Sequence, residues 1–113
     1  MDGKIIKLVK PIEAFGRRIT EIALKEPTGA LFSRLGQPRI PIYNQSAGSG
    51  YFVERDDVIT SYLEKLMDMD FAETGVVLQQ LSLTDMMELR ETLFGFFDAA
   101  RATSAGAKVA ATP

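Results

Sequence analysis

The chain has no cysteine and no histidine in its 113 residues, and those two absences remove more chemistry than any motif search. Without cysteine there is no disulfide framework, thiol nucleophile or thiolate metal site. Without histidine there is no imidazole ligand and no general base titrating near neutral pH. A serine nucleophile would have to rely on Lys, Asp or Glu for activation, so these absences argue against an enzyme. Long apolar runs are missing too: no stretch approaches the roughly 18 residues of a membrane span. The opening Met1-Asp2-Gly3-Lys4 lacks the apolar run of a signal peptide, which points to a cytosolic protein.

What remains is an ordinary globular composition, 46% hydrophobic and 25% charged, of a size that forms one small domain able to fold without metal or disulfide. The net charge of −2 hides a division along the chain. Residues 1–53 carry an excess of four positive charges, and residues 54–113 an excess of six negative ones. Lys4, Lys7, Lys10, Arg17 and Arg18 make the front basic, which opens a nucleic-acid-binding reading, although such domains usually carry a basic excess throughout.

The pattern of residues predicts an α+β fold. Lys4 to Lys10 is dense in β-branched residues and reads as a strand stopped by Pro11. Arg17 to Leu24 reads as its partner, with Gly16 supplying a turn residue that tolerates positive φ. Pro27 closes this amino-terminal β-hairpin, and Ala30 to Leu35 fits two helical turns before Gly36. Residues 37–53 are rich in Pro, Gly, Ser and Asn; Ile40 to Tyr43 and Tyr51 to Val53 fit either a second short hairpin or a long loop.

The acidic half predicts a helical subdomain of three to four helices. From Asp56 to Met67 the apolar residues recur at helical spacing, with Asp56 and Asp57 where the helix dipole favours anions. Phe71 to Gln80 is a weaker helical stretch across Gly75. Ser82-Leu83-Thr84-Asp85 has the form of an N-cap with an Asp version of the capping box, and Leu81 with Met86 forms a hydrophobic staple. The helix that follows is expected to run to about Arg101. Residues 1–101 then form the single domain, and 102–113, poor in large apolar residues, a flexible tail.

No cofactor or metal is expected. Gly48-Ser49-Gly50 lacks the third glycine and following helix of a phosphate loop. Asp68-Met69-Asp70 starts like a calcium loop, but Glu73 stands where that loop needs glycine, so helix-end acids explain it better. The distinctive property is apolar width on the last helix. Met86, Leu89, Leu93, Phe96, Phe97 and Ala100 share one face, with Leu83, Met87 and Phe94 in an adjoining stripe at its edge. A broad Met and Phe surface serves either a small core touched from several sides or the capture of a partner's apolar segment. On the second reading Leu83, Met87 and Phe94 are the candidate partner-binding residues.

The order of these features resembles the tail assembly chaperones of Mu-like contractile-tailed phages and prophages. The resemblance rests on the strands Ile5 to Val9 and Arg17 to Leu24, the Leu24-Lys25-Glu26-Pro27-Thr28 corner, the middle helix, and Leu81-Ser82-Leu83-Thr84-Asp85 leading to Leu93-Phe94-Gly95-Phe96-Phe97, and so spans residues 4 to about 98. Family members more often place an Asp shortly after the Pro-Thr; Gly29-Ala30-Leu31 stands there in this chain. The resemblance implies a non-enzymatic protein of the bacterial host cytoplasm that binds the tape measure protein, keeps it soluble, and is displaced by tail-tube protein. It also implies that a longer, frameshifted form accompanies a short one. The competing readings are a nucleic-acid-binding accessory protein working through the basic hairpin and a structural tail or baseplate subunit.

Overall fold

The computed structural model describes residues 3–44 and 48–111 and shows an α+β fold: an amino-terminal hairpin, a short helix, a second hairpin and three further helices. β1 (Lys4–Ala14) and β2 (Arg17–Leu24) pair antiparallel around a two-residue turn. Phe15 (φ 55°) and Gly16 (φ 70°) both occupy the left-handed region that matches the twist of paired strands. β1 does not stop at Pro11. Its register against β2 slips between Lys7 and Ile12, so Pro11 falls in a bulge where no ladder bond asks for its missing N–H.

Thr28 accepts a hydrogen bond from the Leu31 N–H (3.2 Å) and caps α1 (Gly29–Leu35), which ends at Gly36 with φ 80°. Residues 37–53 do not form a long loop. They form a second antiparallel hairpin, β3 (Arg39–Asn44) with β4 (Ser49–Glu54), in a separate two-stranded sheet. Residues 45–47, between β3 and β4 in the chain, lie outside the described residues.

α2 (Asp56–Leu66) carries its two acids in the first turn, as the helix dipole favours, and buries Val58, Ile59, Tyr62, Leu63 and Leu66. Its end is stitched to β2: Lys25 N–H donates to Leu66 O (2.8 Å) and Asp68 N–H to Ala23 O (3.0 Å). α3 (Phe71–Gln80) buries Thr74 and Val77. α4 is longer than expected, helical from Leu83 to Ala111. The helix does not end near Arg101 but continues to Ala111 through a run that holds five alanines; residues 112 and 113 lie outside the described residues.

One core joins these parts. Ile6, Leu8, Ile12, Ile19, Ile22 and Leu24 line one face of the first hairpin and pack on the buried residues of α2, on Val77, and on Leu89, Leu93 and Phe94. Tyr62 lies at its centre, edge-on to Phe97 (5.4 Å between centroids), and its hydroxyl donates to Gly36 O at 2.6 Å. Burial raises the Tyr62 pKa above its ordinary value, so the phenol stays a donor. Tyr62→Phe is expected to lose about 1 kcal/mol in urea unfolding, because the carbonyl that ends α1 keeps its other contacts but loses this donor.

Candidate interaction site

Among the described residues, exposed large apolar side chains gather on the β3–β4 hairpin: Ile40, Ile42, Tyr43, Tyr51, Phe52 and Val53. Ile40 faces Val53 and Ile42 faces Tyr51 across the ladder, so four exposed apolar side chains share one face without a charge among them. On the opposite face Pro41 pairs with Phe52, and the Tyr43 ring crosses Gly50, where a Cβ would come within 2.9 Å of it. A two-stranded hairpin is marginal by itself, so its ties to the rest of the fold at the base are what hold it.

That base is built from arginine. The Arg39 guanidinium lies between the rings of Phe52 and Phe94, 4.5 Å from each centroid, and donates to both carboxylate oxygens of Asp98 at 3.2 Å. Arg90 on α4 donates to Glu54 and to Asp56 (2.9 Å), bridging the end of β4 to the start of α2. Partial burial by itself lowers the Arg90 pKa; hydrogen bonds and charge from Asp56 and Glu54 outweigh it and raise the pKa above its ordinary value. Arg55 N–H donates to Pro38 O (2.8 Å) and closes the ring of contacts.

The stripe of three residues expected at the helix edge divides. Leu83 (76% exposed) and Met87 (57%) stand in solvent one turn apart on α4. Phe94 does not: at 3% exposed it is a core residue, covered by the Arg39 guanidinium that the second hairpin lays over it. Helical periodicity had placed Phe94 at the margin because the hairpin that covers it is distant in sequence. Ile40 to Tyr43 and Tyr51 to Val53 fit a hairpin or a loop equally from their sequence, and nothing local shows how much of these residues the rest of the fold leaves exposed.

The charged front is partly spent on internal pairs. Arg17 donates to Glu73 at 2.7 Å, and Arg18 lies 4.0 Å from Glu13. Glu73 is thus a partner of the hairpin turn, and among the described residues no three metal-ligating side chains gather.

The capping sequence Ser82 to Asp85 has a second role. Ser82 Oγ accepts from the Asp85 N–H (3.2 Å), as an N-cap does. The Asp85 carboxylate does not turn back on the cap backbone; it crosses to the bulge of β1 and accepts from Val9 N–H (2.8 Å), Lys10 N–H (3.1 Å) and the Ser82 hydroxyl (2.9 Å). Burial works to raise its pKa, and these hydrogen bonds, Val9 first, prevail and hold it below the ordinary carboxylate value.

Comparison with family models, curated proteins and solved structures finds no match to the chain. No helix among the described residues is long and apolar enough to cross a membrane.

Proposed function

We propose that this protein is a non-enzymatic tail assembly chaperone of the Mu-like contractile-tailed phage type, acting in the cytoplasm of the bacterial host. It binds the tape measure protein through reversible apolar contact, keeps it soluble, and yields it to the tail-tube protein. The observation that carries the reading is the β3–β4 hairpin, which leaves Ile40 (37%), Ile42 (38%), Val53 (42%) and Tyr51 (61%) partly exposed on one face of a blade tied to the rest of the fold at its base. Uncharged apolar surface of this kind on a small chain is the mark of a surface made for a partner. Leu83 and Met87, exposed on α4, supply a second apolar contact. A long helical client offers the complementary stripe.

Co-expression with the tape measure protein tests this. The double substitution Ile42→Lys with Tyr51→Asp, which sets opposite charges across the ladder, is expected to move at least about 90% of the client to the insoluble fraction, a tenfold loss of capture. The circular dichroism spectrum of the chaperone should stay unchanged, since neither side chain enters the core. A double variant that is folded and still keeps the client soluble would overturn the assignment of this surface.

A further inference from the structure

The geometry points to a second interface, formed when the outer edge of β1 pairs antiparallel with the same edge of a second copy of this chain. The bonds from Ala23 O and Lys25 N to the Leu66–Asp68 turn leave β2 on the side away from β1. Leu24 and Ile22 therefore face β1 and bond with Lys4 and Ile6, their register partners. It follows that the N–H and C=O groups of Ile5 and Lys7 point outward, where no other strand pairs with β1 among the described residues. Farther along, the same edge is closed: the Val9 and Lys10 N–H groups are already held by Asp85. An incoming strand is thus limited to the stretch before Val9.

Beside this edge runs a groove of about 600 Å³ between β1 and α4, flanked by Thr92, Gly95, Phe96 and Ala99 on the helix. Gly95 sits inside α4, where glycine costs about 1 kcal/mol relative to alanine. A Cβ there would meet nothing within 4 Å, so packing within one copy gives no reason for it. Small residues on a helix flank let another backbone come close.

Self-pairing satisfies these features together. A two-fold axis at Ile5 sets Ile5 opposite Ile5 of the second copy and Lys7 opposite its Gly3. All outward groups of Ile5 are then bonded reciprocally, and the lysines avoid one another. Ile5, 66% exposed in the single chain, gains an identical apolar neighbour on the outer face. Lys4, on the same face as Ile6, is brought opposite Ile6 of the other copy, toward the flank where Glu88 lines the groove, so that opposite charges meet. The result is one four-stranded sheet with two α4 helices beneath it. This interface lies on a different sheet from the proposed client surface and does not depend on it.

Sedimentation equilibrium of the whole chain reads the outcome. The chain is expected to form a dimer in the micromolar range. Ile5→Pro removes the outward N–H while Lys4 and Ile6 keep the ladder to β2, and Gly95→Leu fills the groove without touching the strand. Each should raise the dissociation constant at least about tenfold with the circular dichroism spectrum unchanged. Ile5→Cys supplies an independent readout in a cysteine-free chain, because paired Cα atoms about 5.5 Å apart suit a disulfide. Mild oxidation should link it into dimers about ten times faster than the exposed control Thr20→Cys. The Ile42→Lys, Tyr51→Asp double variant should dimerise like the parent. A parent chain that stays monomeric to about 0.5 mM overturns the proposal, as does a dimer indifferent to both Ile5→Pro and Gly95→Leu. Protection of the Ile5 amide only when the tape measure protein is added would assign the groove to that polypeptide and equally overturn self-pairing.

Discussion

Replacing Asp85 with alanine is expected to cost about 3 to 4 kcal/mol, a large share of what a domain of this size has. The loss is not that of an ordinary helix cap. The carboxylate, 1% exposed, is the acceptor for the Val9 and Lys10 N–H groups, which the bulge has taken out of the β1–β2 ladder, and for the Ser82 hydroxyl. Removing it leaves two backbone donors at the rim of the core with no acceptor. Asp85→Asn should recover only part of the loss, because the Val9 and Lys10 N–H groups reach different carboxylate oxygens and the amide nitrogen that replaces one of them donates instead of accepting. Urea unfolding at neutral pH measures both. The pH dependence follows from the lowered folded-state pKa. The contribution of Asp85 is complete above the unfolded carboxylate value and is lost as pH falls through the lower folded one, so the gap between parent and Asp85→Ala should close in acid.

Phe94→Ala should be nearly as damaging, about 3 kcal/mol, and its second consequence distinguishes it from an ordinary cavity mutant. The ring fills the core beside Leu93 and also forms one wall of the slot that holds Arg39. With that wall gone, Arg39 keeps Phe52 and Asp98 but loses its tie to the apolar part of α4. Backbone amides of residues 39, 40, 42, 43 and 50–54 should then exchange faster than in the parent, while those of β1 and β2 quicken only as far as global stability falls. Met87→Asp on the same helix should change neither measurement, since its side chain stands in solvent.

These two residues also show where reading the chain reaches its limit. The first hairpin was legible because its information is local: β-branched strands, a glycine turn, and a proline corner. The helices of the acidic half were legible by periodicity, and Ser82 by its place before an apolar run. Pro11 misled, because a proline that would end a regular strand is harmless in a bulge, and the bulge depends on an acceptor 76 positions away in the chain. Asp85 was recognised as a helix-start residue, yet its carboxylate serves another element. Phe94 was placed at an exposed margin by its angle on the helix, but what buries it is Arg39, brought over it by residues 37–54, which composition could not divide between loop and hairpin. Exposure of Ile42 and Tyr51 is likewise a fact about what the rest of the fold fails to cover.

The carboxylate bridge from Asp85 to β1 also orders events in time. During synthesis the first hairpin leaves the ribosome early, with its turn and most of its ladder available at once. Its bulge has no acceptor until the segment beginning at Ser82 emerges, three quarters of the way along the chain. A loop closure of that length is among the slower steps of small-domain folding. Until it happens, the bulge of β1 lacks its acceptor, and that end of the strand's edge is open to whatever polypeptide is nearby. The start of α4 is therefore the latch by which the growing chain closes that edge.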